Sequence, residues 1–141
     1  MTNRQLTVLT GSVAPALARI TEILGTERVD IRAHCLVDNG DGNCKLRMIV
    51  SDPDRALQIL LERNIAAVVN DVLIVETDDR PGGLSRLLAG FDGHEEIHIE
   101  YSYTAASDRP GVAVMVFRFS DNQKAAGVLE NSGFKLIEVA D

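Results

Sequence analysis

The residues with the most chemical content run from Asp78 to Leu84, as Asp78-Asp79-Arg80-Pro81-Gly82-Gly83-Leu84, between a strand-like segment and an amphipathic helix. Pro81 lacks an N–H and suits the first turn of that helix, and Gly82 and Gly83 leave room for a ligand to reach the backbone donors there. Those donors and the helix dipole attract a carboxylate. Asp78 and Asp79 can cap the helix or hold an ammonium group. Together the segment suits a zwitterion, and it equally describes an efficient strand-to-helix turn.

No other constellation competes with it. His34, His94 and His98 are scattered and read as surface residues, and Cys35 and Cys44 lack the companions of a zinc site. The cysteines read as small core residues in a reducing compartment. The chain shows no Ser-His-Asp set, no Cys-His pair and no phosphate-cradling loop. A catalytic role therefore has no positive support, and no metal or cofactor is implied.

The 141 residues amount to about one average domain, with 45% hydrophobic residues and six aromatics, none of them Trp. Fourteen Lys and Arg stand against 21 Asp and Glu, a net charge of −7 without a basic block, which argues against nucleic acid as a partner. The longest apolar run is the six residues Val112 to Phe117, far short of the roughly 20 that span a bilayer. Without an apolar leader at the start, the expectation is a soluble cytoplasmic protein with no membrane partner.

The elements that position the loop emerge from an internal repeat. At offsets of 67 to 69, Leu6, Val8, Thr10, Leu17, Arg19, Ile31, Ser51, Asp52, Ala56 and Leu60 recur as Leu73, Val75, Thr77, Leu84, Arg86, Ile99, Ser120, Asp121, Ala125 and Leu129. These matches define two units, 1–70 and 71–141. Each reads as strand, helix, strand, strand, helix, strand, so the expected fold is α+β, two ferredoxin-like βαββαβ units packed together.

In the first unit the reading gives strands at Gln5 to Leu9 and Ala66 to Val69, with Gly25 stopping the first helix. An Asn39-Gly40 hairpin would set Ile31 opposite Met48, Ala33 opposite Leu46 and Cys35 opposite Cys44 on the core face. An Asp41-Gly42 turn would preserve those faces. Asp52 and Pro53 open the second helix as cap and first residue. The second unit is expected at Val72 to Glu76, Gly82 to Ala89, Ile97 to Tyr103, Val112 to Phe119, Asp121 to Asn131 and Phe134 to Val139.

The same parity leaves a first-unit face with Arg32, His34, Lys45 and Arg47, where Arg32 would oppose Arg47. It turns Tyr101 and Tyr103 toward the second core. Val112, Val114 and Val116 fall on the face away from the helices. A strand apolar on both sides is normally covered on both, so this face is expected to be buried, most simply in a homodimer.

With Asp79-Arg80-Pro81-Gly82-Gly83-Leu84, Ile31-Arg32-Ala33 and Val50-Ser51-Asp52-Pro53-Asp54-Arg55-Ala56 in this order and duplicated, nearly the whole chain resembles the ACT domains, small regulatory modules. The resemblance implies a free amino acid as partner, bound at an interface between ACT units where the Pro-Gly loop faces a neighbour's second strand. Carried over, it implies Asp79, Gly82, Gly83 and Leu84 as loop contacts. Facing contacts would come from Ile31 to Leu36, with Arg32, Ala33 and His34 among them, or from a partner chain. The first unit departs from the pattern at Ser12-Val13-Ala14-Pro15, where Ala14 and Pro15 replace the Pro and Gly, and its loop is read as degenerate. The expectation is a non-catalytic amino-acid sensor; the alternative is an oligomerisation module that has lost its ligand.

Overall fold

The computed structural model describes residues 2–10 and 13–139. Its elements are β1 (Asn3–Thr10), α1 (Val13–Thr26), β2 (Ile31–Asp38), β3 (Cys44–Val50), α2 (Pro53–Glu62), β4 (Ala67–Asp78), α3 (Gly83–Ala89), β5 (Ile99–Ala105), β6 (Val112–Phe119), α4 (Asn122–Asn131) and β7 (Lys135–Leu136). Ser12 of the first-unit loop, and the side chains of Val13, Ala14 and Pro15, lie outside the described residues. Among the described residues no helix is long and apolar enough to cross a membrane.

The chain divides into two units, Arg4–Asn70 and Asp71–Val139, the latter including Asn3. Both are βαββαβ. The strand order is β2-β3-β1-β4 in the first unit and β5-β6-β4 in the second, with β7 also pairing β4. The two separate strands expected around the boundary are one element, β4, because nothing between Val69 and Val72 interrupts the extended backbone.

Each unit closes one core between its sheet and its helices. In the first, Leu6, Val8, Leu46 and Met48 meet Leu24 and Leu60, all fully buried. In the second, Leu73, Val75, Phe117 and Phe119 meet Leu87 and Leu129. Phe119 stacks on Phe91 and Phe117 at centroid distances of 5.0 and 5.3 Å. Burial of these side chains is the main favourable term holding each unit together.

The duplicated residues do the same work twice. Ser51 Oγ accepts from Asp30 N–H while its own N–H donates to Asp30 C=O; Ser120 repeats both bonds with His98. Asp52 caps α2 by accepting from Arg55 N–H at 3.1 Å, and Asp121 caps α4 through Lys124 N–H at 3.0 Å. Helix ends are repeated too. Val29, Ile65 and Phe134 each donate to a carbonyl five residues back, across a left-handed Arg28, Asn64 or Gly133. Gly25 therefore lies inside α1 and does not end it; Arg28 takes the left-handed position.

The hairpin registers differ from the expected ones. A β-bulge between Ile31 and Ala33 shifts β2, so His34 pairs Met48, Cys35 pairs Arg47 and Leu36 pairs Leu46. The extra residue reverses the facing. Leu36 packs on the core, whereas Ala33, Cys35 and Val37 share the opposite side with Ile49, Arg47 and Lys45. Asn39 N–H bonds Asn43 C=O, making a loop longer than the two-residue turn. Arg32 consequently does not oppose Arg47; its Nε pairs with Asp30 at 2.7 Å.

A second bulge, between Ile99 and Tyr101, does the same in β5. Tyr101 pairs Arg118 and Tyr103 pairs Val116, so both tyrosines leave the core face they were expected to occupy. Val114 is 7% exposed and Val116 0% within a single chain. The apolar strand face is buried without a second copy, which removes the reason for placing a homodimer there. Val112 remains half-buried.

Both cysteines are free. Cys44 is buried, and that burial, together with the Asp38 and Asp41 carboxylates, raises its thiol above the ordinary value. A raised pKa keeps it protonated and unreactive near neutral pH. In native protein at mildly alkaline pH, iodoacetamide is expected to label Cys35 alone, with Cys44 reacting only after unfolding, as read by peptide mass spectrometry. Two helix variants test the α4 geometry by urea denaturation. Asp121→Ala should cost about 1 kcal/mol through the lost cap, and Gly127→Ala, which meets no atom within 4 Å, should gain about 0.5–1 kcal/mol.

Candidate functional site

The segment after β4 is a turn followed by a short helix. Gly83 N–H donates to Arg80 C=O at 2.9 Å, and Gly82 has φ 87° and ψ −3°. With Pro81 ahead of it, this is a type II turn, which needs positive φ at its third residue. Pro81 therefore lies before α3, outside its first turn, and Gly82 is the N-cap.

The two glycines have separate tasks. A Cβ on Gly83 would lie 2.1 Å from Asp78 O, so the turn can press against the end of β4 only with hydrogen at that position. Gly83 serves this internal contact, and its N–H is spent on Arg80; Thr77 Oγ1 also donates to its carbonyl at 3.2 Å. The donors left without an acceptor at the helix start, among the described residues, are the N–H groups of Leu84 and Ser85. Leu84 itself is 46% exposed.

The neighbouring acids are also distinguished. Asp78 Oδ2 accepts from Arg80 at 3.1 Å and Arg86 at 3.3 Å, so its charge is already matched. Asp79 is exposed, and its carboxylate has no partner among the described residues. Its backbone N–H donates to Gly111 C=O at 3.0 Å, which ties the loop to the β5–β6 hairpin.

Two cavities of about 330 Å³ each flank the segment. One is bounded by Glu76, Asp78, Arg86, Phe134 and Lys135. The other is bounded by Asp79, Thr104, Ser107, Arg109, Val112 and Val114, among others. Arg80, Pro81, Gly82, Gly83 and Leu84 line neither. Arg32, Ala33 and His34 lie in the first unit, where Ala33 is buried and His34 exposed.

Sequence reading missed Arg109. Its guanidinium pairs through Nη2 with Glu76 and through Nε, at 3.9 Å, with Asp108. The signal was present: Asp79-Arg80-Pro81-Gly82 recurs as Asp108-Arg109-Pro110-Gly111, and both glycines have positive φ. The hydrogen bond from Asp79 to Gly111 brings the two copies side by side.

No group of three or more His, Cys, Asp or Glu among the described residues is placed to hold a metal ion. A family model of the ACT domain pair matches residues 1–141. The chain belongs to this family. A solved protein of Bacteroides thetaiotaomicron is 32% identical to this ACT pair, with a TM-score of 0.88 over 97% of this chain and 92% of that one. The regulatory subunit of aspartate kinase from Thermus thermophilus superposes with a TM-score of 0.64 at 14% identity, over 92% and 91% of the two chains. Its counterpart from Thermus flavus does so at 0.60 and 15%, with the same coverage. At such identities these last two show the shared fold. No curated protein matches the chain.

The close approach at Gly83 is directly testable. Gly83→Ala should destabilise the ACT pair by about 2–3 kcal/mol, since a methyl group would overlap a backbone carbonyl that cannot move independently. Ser85→Ala, on the exposed side of α3, should change the urea midpoint little.

Proposed function

We propose that this ACT pair is a non-catalytic regulatory module that binds a small amino acid beside the second-unit loop and transmits occupancy to a partner protein. The observation that carries this reading is membership of the ACT domain pair family across all 141 residues, because the resemblance implies amino-acid binding at the loop after a unit's first strand. The local chemistry agrees with it. Asp79 offers an unmatched carboxylate to an ammonium group, and the open N–H groups of Leu84 and Ser85 give the same loop a mild preference for negative charge. A neighbouring ACT unit, as the resemblance implies, would complete the crevice.

A second reading is an interaction module without ligand. It is favoured by one observation: Arg80 to Leu84 line neither flanking cavity.

Isothermal titration of the full chain against the twenty amino acids separates the two. The sensor reading expects at least one to bind, and silence at millimolar concentrations leaves the interaction module. Asp79→Asn should weaken that binding about tenfold, the scale of one charge-assisted hydrogen bond, while leaving the melting temperature unchanged because the carboxylate supports no internal contact.

A further inference from the structure

The cavity lined by Asp79 and Arg109 has the attributes of a two-point site. Its volume of about 330 Å³ falls at the lower end of the range for small-molecule pockets. It holds one acidic and one basic side chain, with Ala105, Pro110, Val112 and Val114 contributing apolar wall. The acid is unmatched, as shown above. The base is held in place: Glu76, whose side chain is only 16% exposed, engages one terminal nitrogen of Arg109, leaving Nη1 without a partner among the described residues. Asp108 is 98% exposed and 3.9 Å from Nε, so solvent screens its pull on the guanidinium. A guanidinium fixed on one edge with donors left on another is suited to receive a carboxylate.

We propose that Arg109 anchors the α-carboxylate of a small aliphatic amino acid whose ammonium group rests on Asp79. The inference rests on the loop reading above and deepens it. The carboxylate is taken by the β5–β6 hairpin of the same unit, so the second Asp-Arg-Pro-Gly segment is a specificity element of the site. The short apolar wall favours a branched aliphatic side chain over a charged one, since no further charged group lines the cavity to receive it.

L-valine, isobutylamine and isovalerate are the probes, the last two being valine without its carboxylate and without its ammonium group. Titrated calorimetrically into the full chain, valine should bind at least tenfold more tightly than either analogue. Arg109→Gln should bring valine down to the affinity of isobutylamine while leaving isobutylamine unchanged, and Asp79→Asn should bring valine down to the affinity of isovalerate. Arg109→Lys keeps a cation beside Glu76 and guards against loss of folding, with circular dichroism melting as the check; it should lose valine affinity without losing stability. Valine binding that survives both Arg109 variants but falls in Asp79→Asn overturns the Arg109 assignment alone. Silence of all twenty amino acids overturns the loop reading and this inference together.

Discussion

The second unit is organised by a contact that only hydrogen can make. The Asp78 carbonyl occupies the space in which a side chain on Gly83 would begin, so β4 can reverse into α3 within four intervening residues. That reversal puts Pro81 and Gly82 in a type II turn, spends the Gly83 N–H on Arg80, and leaves Asp79 at the strand's end, bonded to the hairpin through Gly111. A looser connection would free Asp79 from the hairpin and let its carboxylate find a partner elsewhere. Tight closure thus positions the acid and keeps its charge available.

The fold was legible in the sequence where one residue type has one physical use. Ser51-Asp52 and Ser120-Asp121 recur because each pair closes a strand junction and caps a helix, tasks that hydroxyl and carboxylate oxygens perform through local bonds. Leu6, Val8, Leu73 and Val75 recur because each points into a core with no exposure. Such signals depend only on near neighbours in the chain. They suffice for two βαββαβ units and for the starts of α2 and α4; at α3, Pro81 fits both a helix opening and a turn.

What was not legible depends on a single inserted residue. Alternation along Val29 to Val37 looked self-consistent with Ala33 and Cys35 inward, because a period of two carries no record of where it is interrupted. The bulges after Ile31 and Ile99 invert the remainder of each strand, moving Cys35 away from Cys44 and turning Tyr101 and Tyr103 from the core. That both bulges fall at equivalent places in the repeat makes them a shared feature of the fold. One inserted residue at the same place in each unit reverses the facing of β2 and of β5, while β3 and β6 keep the alternation that the sequence shows.

The candidate site shows a related limit, in charge. Asp78 and Asp79 are adjacent and chemically identical, and no local rule separates them. The distinction comes from α3, which returns Arg86 to Asp78, and from Arg80, which folds back on the same carboxylate. Two guanidinium groups on one acid leave the next without a partner. The hairpin mirrors this: Glu76 takes one edge of Arg109 and holds the side chain without exhausting its donors. Structural ion pairs here consume Asp78 and Glu76, and what remains is one acid and one partly used base lining one cavity. In a chain of net charge −7, a free anion is repelled by the whole surface, whereas the zwitterion proposed above carries its own ammonium group for Asp79 and needs from Arg109 only the donors that Glu76 leaves open. The recognition chemistry proposed for this cavity thus rests on which charges the fold has already used.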